Sequence, residues 1–167
     1  TDAELATFAC SWSTAEGMLT RAGVDAQDVV LVTGASGGVG SALVQLARRR
    51  GAVVVGLAAP AKHAQMADLG ADALLVRAPE DLKGALRAAI GRGTASVVAD
   101  IVGGPYFETV IDALARGGRY TCSGAIAGPV VPLDLRTLYL RDLTFTGSTV
   151  IPPHIFGDLV GYIERGE

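Results

Sequence analysis

A glycine-rich segment at residues 33–40, Thr-Gly-Ala-Ser-Gly-Gly-Val-Gly, contains the residue types best suited to chemistry. It directly follows an apolar run at residues 29–33, and apolar residues at helical spacing begin at Val39. Small residues let backbone N–H groups approach a diphosphate, and the helix that follows presents its unpaired N–H groups and positive dipole end. Gly40 also lets that helix pack closely on a sheet. The segment predicts a turn that binds a nucleotide's diphosphate; a turn that binds nothing is the alternative.

Six short apolar runs supply the strands that would position this turn. They start 20 to 24 residues apart, which leaves room each time for one short crossover helix. Most are apolar on both faces, as buried parallel strands are. Right-handed crossovers then predict an α/β fold, with a doubly wound six-stranded parallel sheet in a three-layer αβα arrangement. The runs are residues 29–33, 53–57, 73–76, 96–101, 119–122 and 143–146.

Glycines mark the expected ends of the crossover helices. Gly51 follows the first crossover helix, whose last turn is basic, as suits the negative end of a helix dipole. Gly70 precedes the third run, and the pair Gly117-Gly118 precedes the fifth. We expect each to stop a helix.

Three further segments lie outside the regular repeat. Residues 14–21 carry a helical pattern, and Ser13 is its expected cap. Residues 125–140 contain glycine and proline and are expected to form an excursion between the last two strands. Residues 156–165 predict a final amphipathic helix.

Composition narrows the class of protein. Apolar residues make up 50% of the chain and charged residues 19%, with 22 glycines in 167 residues, which indicates a packed aliphatic core rather than disorder. A net charge of −3 gives no reason to expect a nucleic-acid partner. The same small charge gives no reason to expect an anionic membrane as partner. No apolar stretch approaches the ~20 residues of a membrane span, so we expect no span. Two cysteines, too few to staple this chain, favour a reducing compartment such as the cytoplasm.

The end of the second run bears on the choice of dinucleotide. NAD sites place an acidic residue there for the ribose hydroxyls, but the segment from Ala58 onwards has no carboxylate before Asp68. Lys62 could attract a 2′-phosphate, with a contact worth ~1 to ~4 kcal/mol depending on screening. NADP(H) is therefore favoured over NAD(H). The alternative is that Lys62, like His63, is an ordinary solvated residue.

The order of motifs resembles the cofactor-binding domain of the medium-chain dehydrogenase/reductase superfamily, which includes zinc alcohol dehydrogenases and quinone oxidoreductases. This resemblance implies that residues 1–167 form a single NAD(P)-binding Rossmann domain, without the family's separate catalytic domain. It rests on Ser13-Thr14-Ala15, Ala35-Ser36-Gly37-Gly38-Val39-Gly40, Gly70-Ala71-Asp72, Asp100-Ile101-Val102-Gly103-Gly104 and Gly117-Gly118-Arg119.

The resemblance also implies which residues contact the cofactor. The diphosphate would lie against Ser36, Gly37, Gly38 and Val39, and the end of the second strand adds Ala58 and Lys62. The adenosine ribose and nicotinamide side would be lined by Val102, Gly103, Ser123, Gly124 and Ala125. The nicotinamide would lie near Gly147, Ser148 and Thr149, with Thr14 against its other face. For the serines and threonines, local turn bonding is the alternative.

Cys10 resembles a zinc ligand of the family, because zinc-containing members have a cysteine shortly before the Ser-Thr pair. Zinc needs three protein ligands and an open position, so Cys10 could serve only with ligands from the missing domain. A buried thiol without a metal is the alternative. Cys122 lies in a predicted core strand, where we expect it to pack.

The resemblance implies an oxidoreductase whose full-length form moves hydride between NADP(H) and a carbonyl, alcohol or activated alkene, while the isolated domain is inactive. A non-catalytic module that senses or holds NADPH is an alternative. A short-chain dehydrogenase is another, but no tyrosine is followed four residues later by the lysine of that family's Tyr-x-x-x-Lys. The resemblance also implies a homodimer in which the sixth strands pair, and the apolar, uncharged segment 143–150 fits such an edge.

Overall fold

Six parallel strands form one sheet in the computed structural model, which describes residue 6 and residues 8–166. They are β1 (Val29–Val32), β2 (Val53–Leu57), β3 (Ala73–Leu75), β4 (Ala95–Asp100), β5 (Leu114–Cys122) and β6 (Thr144–Gly147). The order across the sheet is β3-β2-β1-β4-β5-β6, and every neighbouring pair is parallel. The predicted doubly wound sheet is confirmed.

Helices follow the strands, as the spacing of the runs predicts. The described residues contain α1 (Ser13–Arg21), α2 (Gly38–Arg49), α3 (His63–Asp68), α4 (Leu82–Ile90), α5 (Phe107–Asp112), α6 (Leu135–Leu140) and α7 (Pro153–Glu164). A π-helical turn, Phe8–Trp12, precedes α1, and 3₁₀ turns occupy Pro60–Lys62 and Gly104–Tyr106. None of the helices in this part of the chain is long and apolar enough to cross a bilayer.

Two apolar clusters cover the two faces of the sheet. Val30 and Val32 of β1 pack into a cluster with α1, α2 and α7. Val29 and Leu31 of the same strand point the other way, into a cluster with α4 and α5. Because successive side chains of a strand face opposite sides, a run that is apolar throughout serves both clusters. This confirms the three-layer αβα arrangement.

Ser13 does not cap α1. The helix begins at Ser13 itself, and the position before it is Trp12, whose side chain makes no capping bond. The Ser13 hydroxyl instead donates backwards to the carbonyl oxygens of Ala9 (2.8 Å) and Cys10 (3.2 Å). The expectation failed because the π-helical turn runs directly into α1 and leaves no extended residue to act as a cap.

The pair Gly117-Gly118 does not stop a helix. Helix α5 ends at Asp112, and both glycines lie within β5, which is longer than predicted at its start. Gly117 has φ +70°, and the pairing of β4 with β5 shifts register between Ala95 and Val97. The pair therefore forms an irregularity within the strand. In contrast, Gly51 and Gly70, at φ +83° and +102°, follow the C-cap residues of α2 and α3, as predicted for helix stops.

The segment 125–140, expected as an excursion between the last two strands, contains a short helix that was not predicted. Its last part forms α6, where the Asp134 side chain accepts a hydrogen bond from the backbone N–H of Arg136. This bond is a helix N-cap.

Candidate functional site

The glycine turn, residues 33–40, leads from β1 into the first turn of α2. Gly34 takes φ +58°, a conformation that favours glycine, and the N–H of Gly37 donates to the Gly34 carbonyl oxygen (2.9 Å). Gly37 precedes the helix in an extended conformation, and no side chain caps the helix. The N–H of Ser41 donates to the Gly37 carbonyl oxygen (2.8 Å), the first hydrogen bond of the helix. The N–H groups of Gly38, Val39 and Gly40 come earlier in the chain, so they have no acceptor within the helix. The turn therefore offers free N–H donors and the positive end of a 12-residue helix.

Gly40 holds α2 against the glycine turn. A Cβ at this position would lie 2.1 Å from the Gly34 carbonyl oxygen and 2.8 Å from Ala35 Cα. Both are backbone atoms, so no side-chain movement could make room. The absence of a side chain at Gly40 allows the helix to start this close to the strand end.

A cavity of 730 Å³ opens beside the glycine turn, within the ~300 to ~1,000 Å³ usual for ligand and cofactor pockets. Its walls come from the glycine turn, the ends of β2 and β4, the 3₁₀ turn Gly104–Tyr106 and residues Ile126 and Ala127. It lies where β1 and β4 are neighbours, the point at which the strand order reverses. Open α/β sheets bind their ligands at the carboxyl ends of the strands beside this point.

Asp100, at the end of β4, organises the inner side of the cavity. Its carboxylate is 1% exposed and accepts hydrogen bonds from the Thr33 hydroxyl (2.5 Å) and from the N–H groups of Val102 (2.8 Å) and Gly103 (3.1 Å). The Thr33 hydroxyl oxygen in turn accepts from the N–H of Ile101 (3.1 Å). These bonds join the end of β1 to the turn after β4, so the two strand ends that border the cavity are held together.

Tyr120 completes this network from β5. Its hydroxyl donates to the second carboxylate oxygen of Asp100 (2.7 Å), and its ring packs edge-on against Phe107. Burial, together with the adjacent Asp100 carboxylate, raises the pKa of the Tyr120 hydroxyl far above its ordinary value. Tyr120 therefore remains a neutral donor at physiological pH.

The cavity brings together some of the residues that sequence predicts at the cofactor. Those that line it are Ser36, Gly37, Ala58, Val102 and Gly103. Those outside its lining are Thr14, Gly38, Val39, Lys62, Ser123, Gly124, Ala125, Gly147, Ser148 and Thr149. Gly38 and Val39 occupy the first turn of α2, next to the cavity mouth. Most of the other residues belong to the predicted nicotinamide side.

The turns after β5 and β6 on that side are bonded to each other. The Ser123 hydroxyl donates to the Ser148 carbonyl oxygen (2.6 Å), and the N–H of Ser148 donates to the Cys122 carbonyl oxygen (2.9 Å). Ser148 is buried, and a Cβ on Gly17 of α1 would lie 3.3 Å from its hydroxyl oxygen. Thr14 is half-buried near the start of the same helix. A role for these residues at the nicotinamide stays a prediction.

Lys62 and Arg77 differ in their relation to the cavity. Lys62 is exposed at the end of its 3₁₀ turn, and its Nζ lies 3.3 Å from the Gln65 side-chain oxygen. Arg77 lines the cavity, two residues beyond β3, and makes no hydrogen bond or ion pair with any residue that the structure describes. The sequence reasoning missed Arg77 because it considered only the end of the second strand. The sequence did contain a signal for it, because Arg77 is the first basic residue after the third strand.

The described residues do not complete a zinc site. Cys10 is exposed on the π-helical turn, and no group of three or more histidine, cysteine, aspartate or glutamate side chains is gathered in residues 8–166 to hold a metal. One thiol does not hold zinc. A role for Cys10 as one zinc ligand among others stays a prediction.

The geometry of the site agrees with sequence and structure comparisons. The family model described as zinc-binding dehydrogenase matches residues 38–165, well over half of the chain. The chain belongs to this family. The matched residues run from the first turn of α2 to the residue after α7. Membership confirms the resemblance to the medium-chain dehydrogenase/reductase superfamily that the ordered motifs indicate.

Relatives of known structure cover the chain almost completely, and a relative known by sequence covers most of it. A candidate alcohol dehydrogenase from Sinorhizobium meliloti 1021 is 54% identical with a TM-score of 0.95, over 99% of this chain and 46% of its own. A mycobacterial protein solved with NADPH is 30% identical with a TM-score of 0.84, over 96% of this chain and 54% of its own. Acryloyl-coenzyme A reductase of Sulfurisphaera tokodaii is 32% identical over 134 residues, 78% of this chain and 38% of the enzyme. The chain thus spans about half or less of these relatives.

Proposed function

We propose that the chain is the NADP(H)-binding domain of an oxidoreductase that moves hydride between the cofactor and a carbonyl, alcohol or activated alkene. The observation that carries this proposal is the glycine turn, whose free N–H groups lie at the mouth of a cavity at the reversal of strand order. A dinucleotide fits these residues, because Gly37 and Gly38 are exposed and leave the backbone accessible to a diphosphate. The bound nicotinamide would supply or accept the hydride.

In this proposal the residues of the chain bind and orient the cofactor. The first turn of α2 holds the diphosphate through backbone N–H groups. Val102 and Gly103, fixed by Asp100, form the inner wall beside the adenosine. The cofactor then runs towards the turns after β5 and β6, where Ser123 and Ser148 are tied together.

We propose NADPH as the preferred cofactor on two grounds. First, among the described residues that line the cavity, Asp100 is the only acidic one. Its carboxylate oxygens already accept hydrogen bonds from the protein itself. A ribose with free hydroxyls thus finds no carboxylate after β2, where Ala58 stands. Second, Arg77 is free to contact a 2′-phosphate. The mycobacterial relative solved with NADPH supports the same preference.

We also propose that two copies pair through β6, in the cytoplasm. β6 is an edge strand with β5 as its neighbour in the sheet. Val150, three residues beyond β6, is 70% exposed. An exposed apolar edge favours pairing with another copy. Sedimentation at tens of micromolar protein tests the dimer, and a monomeric mass would contradict it.

The proposed compartment rests on the cysteines. Cys10 and Cys122 are both free thiols, which supports a reducing compartment.

Calorimetric titration of the chain with NADPH and NADH tests the main proposal. We expect NADPH to bind more tightly than NADH, and we expect no reduction of simple aldehydes or quinones by these 167 residues. No binding of either cofactor at millimolar concentration would refute the assignment. Tighter binding of NADH would refute the NADPH preference alone. Turnover by this chain would show that it contains the catalytic groups.

A further inference from the structure

The segment that carries Arg77 makes few hydrogen bonds to the rest of the described chain. Residues 76–80, which we call the outer wall, follow β3 and have neither helical nor strand structure. Arg77 and Ala78 of this wall line the cavity. Among the described residues, the wall makes a single hydrogen bond, in which the Tyr106 hydroxyl donates to the Pro79 carbonyl oxygen (2.7 Å). The position of Arg77 therefore depends on a bond from a side chain that lies 27 residues beyond Pro79 in sequence.

Tyr106 itself stands on a well-anchored element. It ends the 3₁₀ turn Gly104–Tyr106, and the N–H of Gly104 donates to the Gly128 carbonyl oxygen (3.0 Å). The N–H of Ala127 donates back to the Val102 carbonyl oxygen (2.9 Å). A Cβ on Gly104 would lie 2.6 Å from the Ala127 carbonyl oxygen, so the two turns are in close backbone contact. The bond from Tyr106 thus joins the outer wall, which has few bonds of its own, to a 3₁₀ turn that is fixed by backbone contacts.

We propose that Tyr106 is a positioning residue for cofactor choice: its hydroxyl holds the outer wall so that Arg77 faces the 2′-phosphate of NADP(H). This inference rests on the proposed function of the cavity. Tyr106 lines the same cavity, so its bond to Pro79 closes the rim between the ends of β3 and β4. Burial raises the pKa of the Tyr106 hydroxyl, which keeps its proton for donation. Arg77 is the group that contacts the cofactor, and Tyr106 acts through it.

The test compares Tyr106→Phe with the parent chain by titration with NADPH and NADH. The substitution keeps the ring and removes one neutral hydrogen bond, worth about three- to tenfold in binding, so NADPH affinity should fall by about that factor. NADH lacks the 2′-phosphate, and its affinity should change by less than about twofold. Tyr139→Phe is the matched control, because Tyr139 is exposed on α6 outside the cavity lining, and neither affinity should change.

A double variant separates positioning from general support of the fold. In Arg77→Ala, the added Tyr106→Phe substitution should produce no further loss of NADPH affinity, because the group that it positions is gone. The ratio of the two dissociation constants is unaffected by a partly unfolded sample, since the folded fraction scales both equally. The ratio therefore remains informative even if Tyr106→Phe lowers stability.

The possible results are distinguishable. A selective loss for NADPH that vanishes in the Arg77→Ala background supports the inference. Equal losses for NADPH and NADH, an unchanged ratio, or a full additional loss in the Arg77→Ala background would overturn it and leave the proposed function intact. A parent chain that binds neither cofactor would refute the proposed function itself.

Discussion

The two sides of the cavity are built in different ways. On one side, the glycine turn is made by residues close in sequence, and its donors are backbone N–H groups that Gly40 places against the strand end. On the other side, the outer wall presents the side chain of Arg77 and is tied by one bond from Tyr106. The glycine turn suits the diphosphate, which NADH and NADPH share. The outer wall suits the 2′-phosphate, which distinguishes NADPH from NADH.

This difference predicts how the two sides respond to substitution. Changes at the glycine turn should affect stability and the binding of both cofactors, because backbone geometry cannot change without moving α2. Changes at the outer wall should affect cofactor choice and leave stability nearly unchanged, because the wall is exposed and packs little. Four experiments test this contrast, from the largest expected effect to the smallest.

Gly40→Ala should have the largest effect. The added methyl group would lie 2.1 Å from a backbone oxygen, so the helix must move away from the turn. Overpacking typically costs about 1–3 kcal/mol of unfolding free energy, and we expect the upper end where no side chain can yield. Urea denaturation should show this loss, and binding of NADPH and NADH should both collapse.

Gly157→Ala is the control for that substitution. Gly157 lies on α7, and a Cβ there meets no atom within 4 Å. Alanine favours a helix by up to about 1 kcal/mol over glycine, so stability should hold or rise slightly. A Gly40→Ala variant as stable as this control would show that the turn is not closely packed.

Asp100→Asn should weaken both cofactors by disordering the turn after β4. The amide keeps one acceptor oxygen but places an NH₂ group among donors from Thr33, Val102, Gly103 and Tyr120. Leaving buried donors unpaired costs about 1–3 kcal/mol in unfolding free energy. Thermal unfolding and titration measure both effects. Asp68→Asn, an exposed change at the end of α3, should alter neither. Loss of one cofactor alone would contradict this role.

Arg77→Ala should lower NADPH affinity about tenfold, or about 1.4 kcal/mol, with NADH affinity and stability nearly unchanged. Lys62→Ala should have a smaller effect, because Lys62 is exposed, bonded to Gln65 and absent from the cavity lining. Titration of both variants with both cofactors ranks the two cations. A larger loss of NADPH affinity in Lys62→Ala than in Arg77→Ala would support Lys62, the residue predicted from sequence, as the contact of the 2′-phosphate.

The smallest effect concerns stability at alkaline pH. Burial raises the pKa of both Tyr106 and Tyr120, so the folded chain favours their protonated forms. The stability from a raised pKa is fully present below the unfolded value of about 10 and is lost as pH rises towards the folded value. Urea unfolding should therefore show a decline above pH ~10. Tyr120→Phe should flatten that decline more than Tyr106→Phe, because Tyr120 is more deeply buried and faces Asp100. Identical slopes in all three proteins would contradict this.

Much of the fold follows from local patterns in the chain. The apolar runs predict β1 and β2 closely, because a strand buried on both faces must be apolar throughout. The first crossover helix also agrees, from its glycine start to Gly51 at its end. The Ser13 cap and the helix stop at Gly117-Gly118 failed, because each depends on what the neighbouring chain does: a π-helical turn in one case and a longer β5 in the other.

The sequence by itself determined the glycine turn, because the conformation at Gly34 and the tight approach at Gly40 are set by residues within a few positions of each other. Only the tertiary structure decided which cation faces the cavity. Lys62 and Arg77 both follow strand ends, and their local sequences do not distinguish them. The pairing of β2 with β3 and the distant bond from Tyr106 fix the wall that carries Arg77, and contacts between remote segments are not encoded in local spacing.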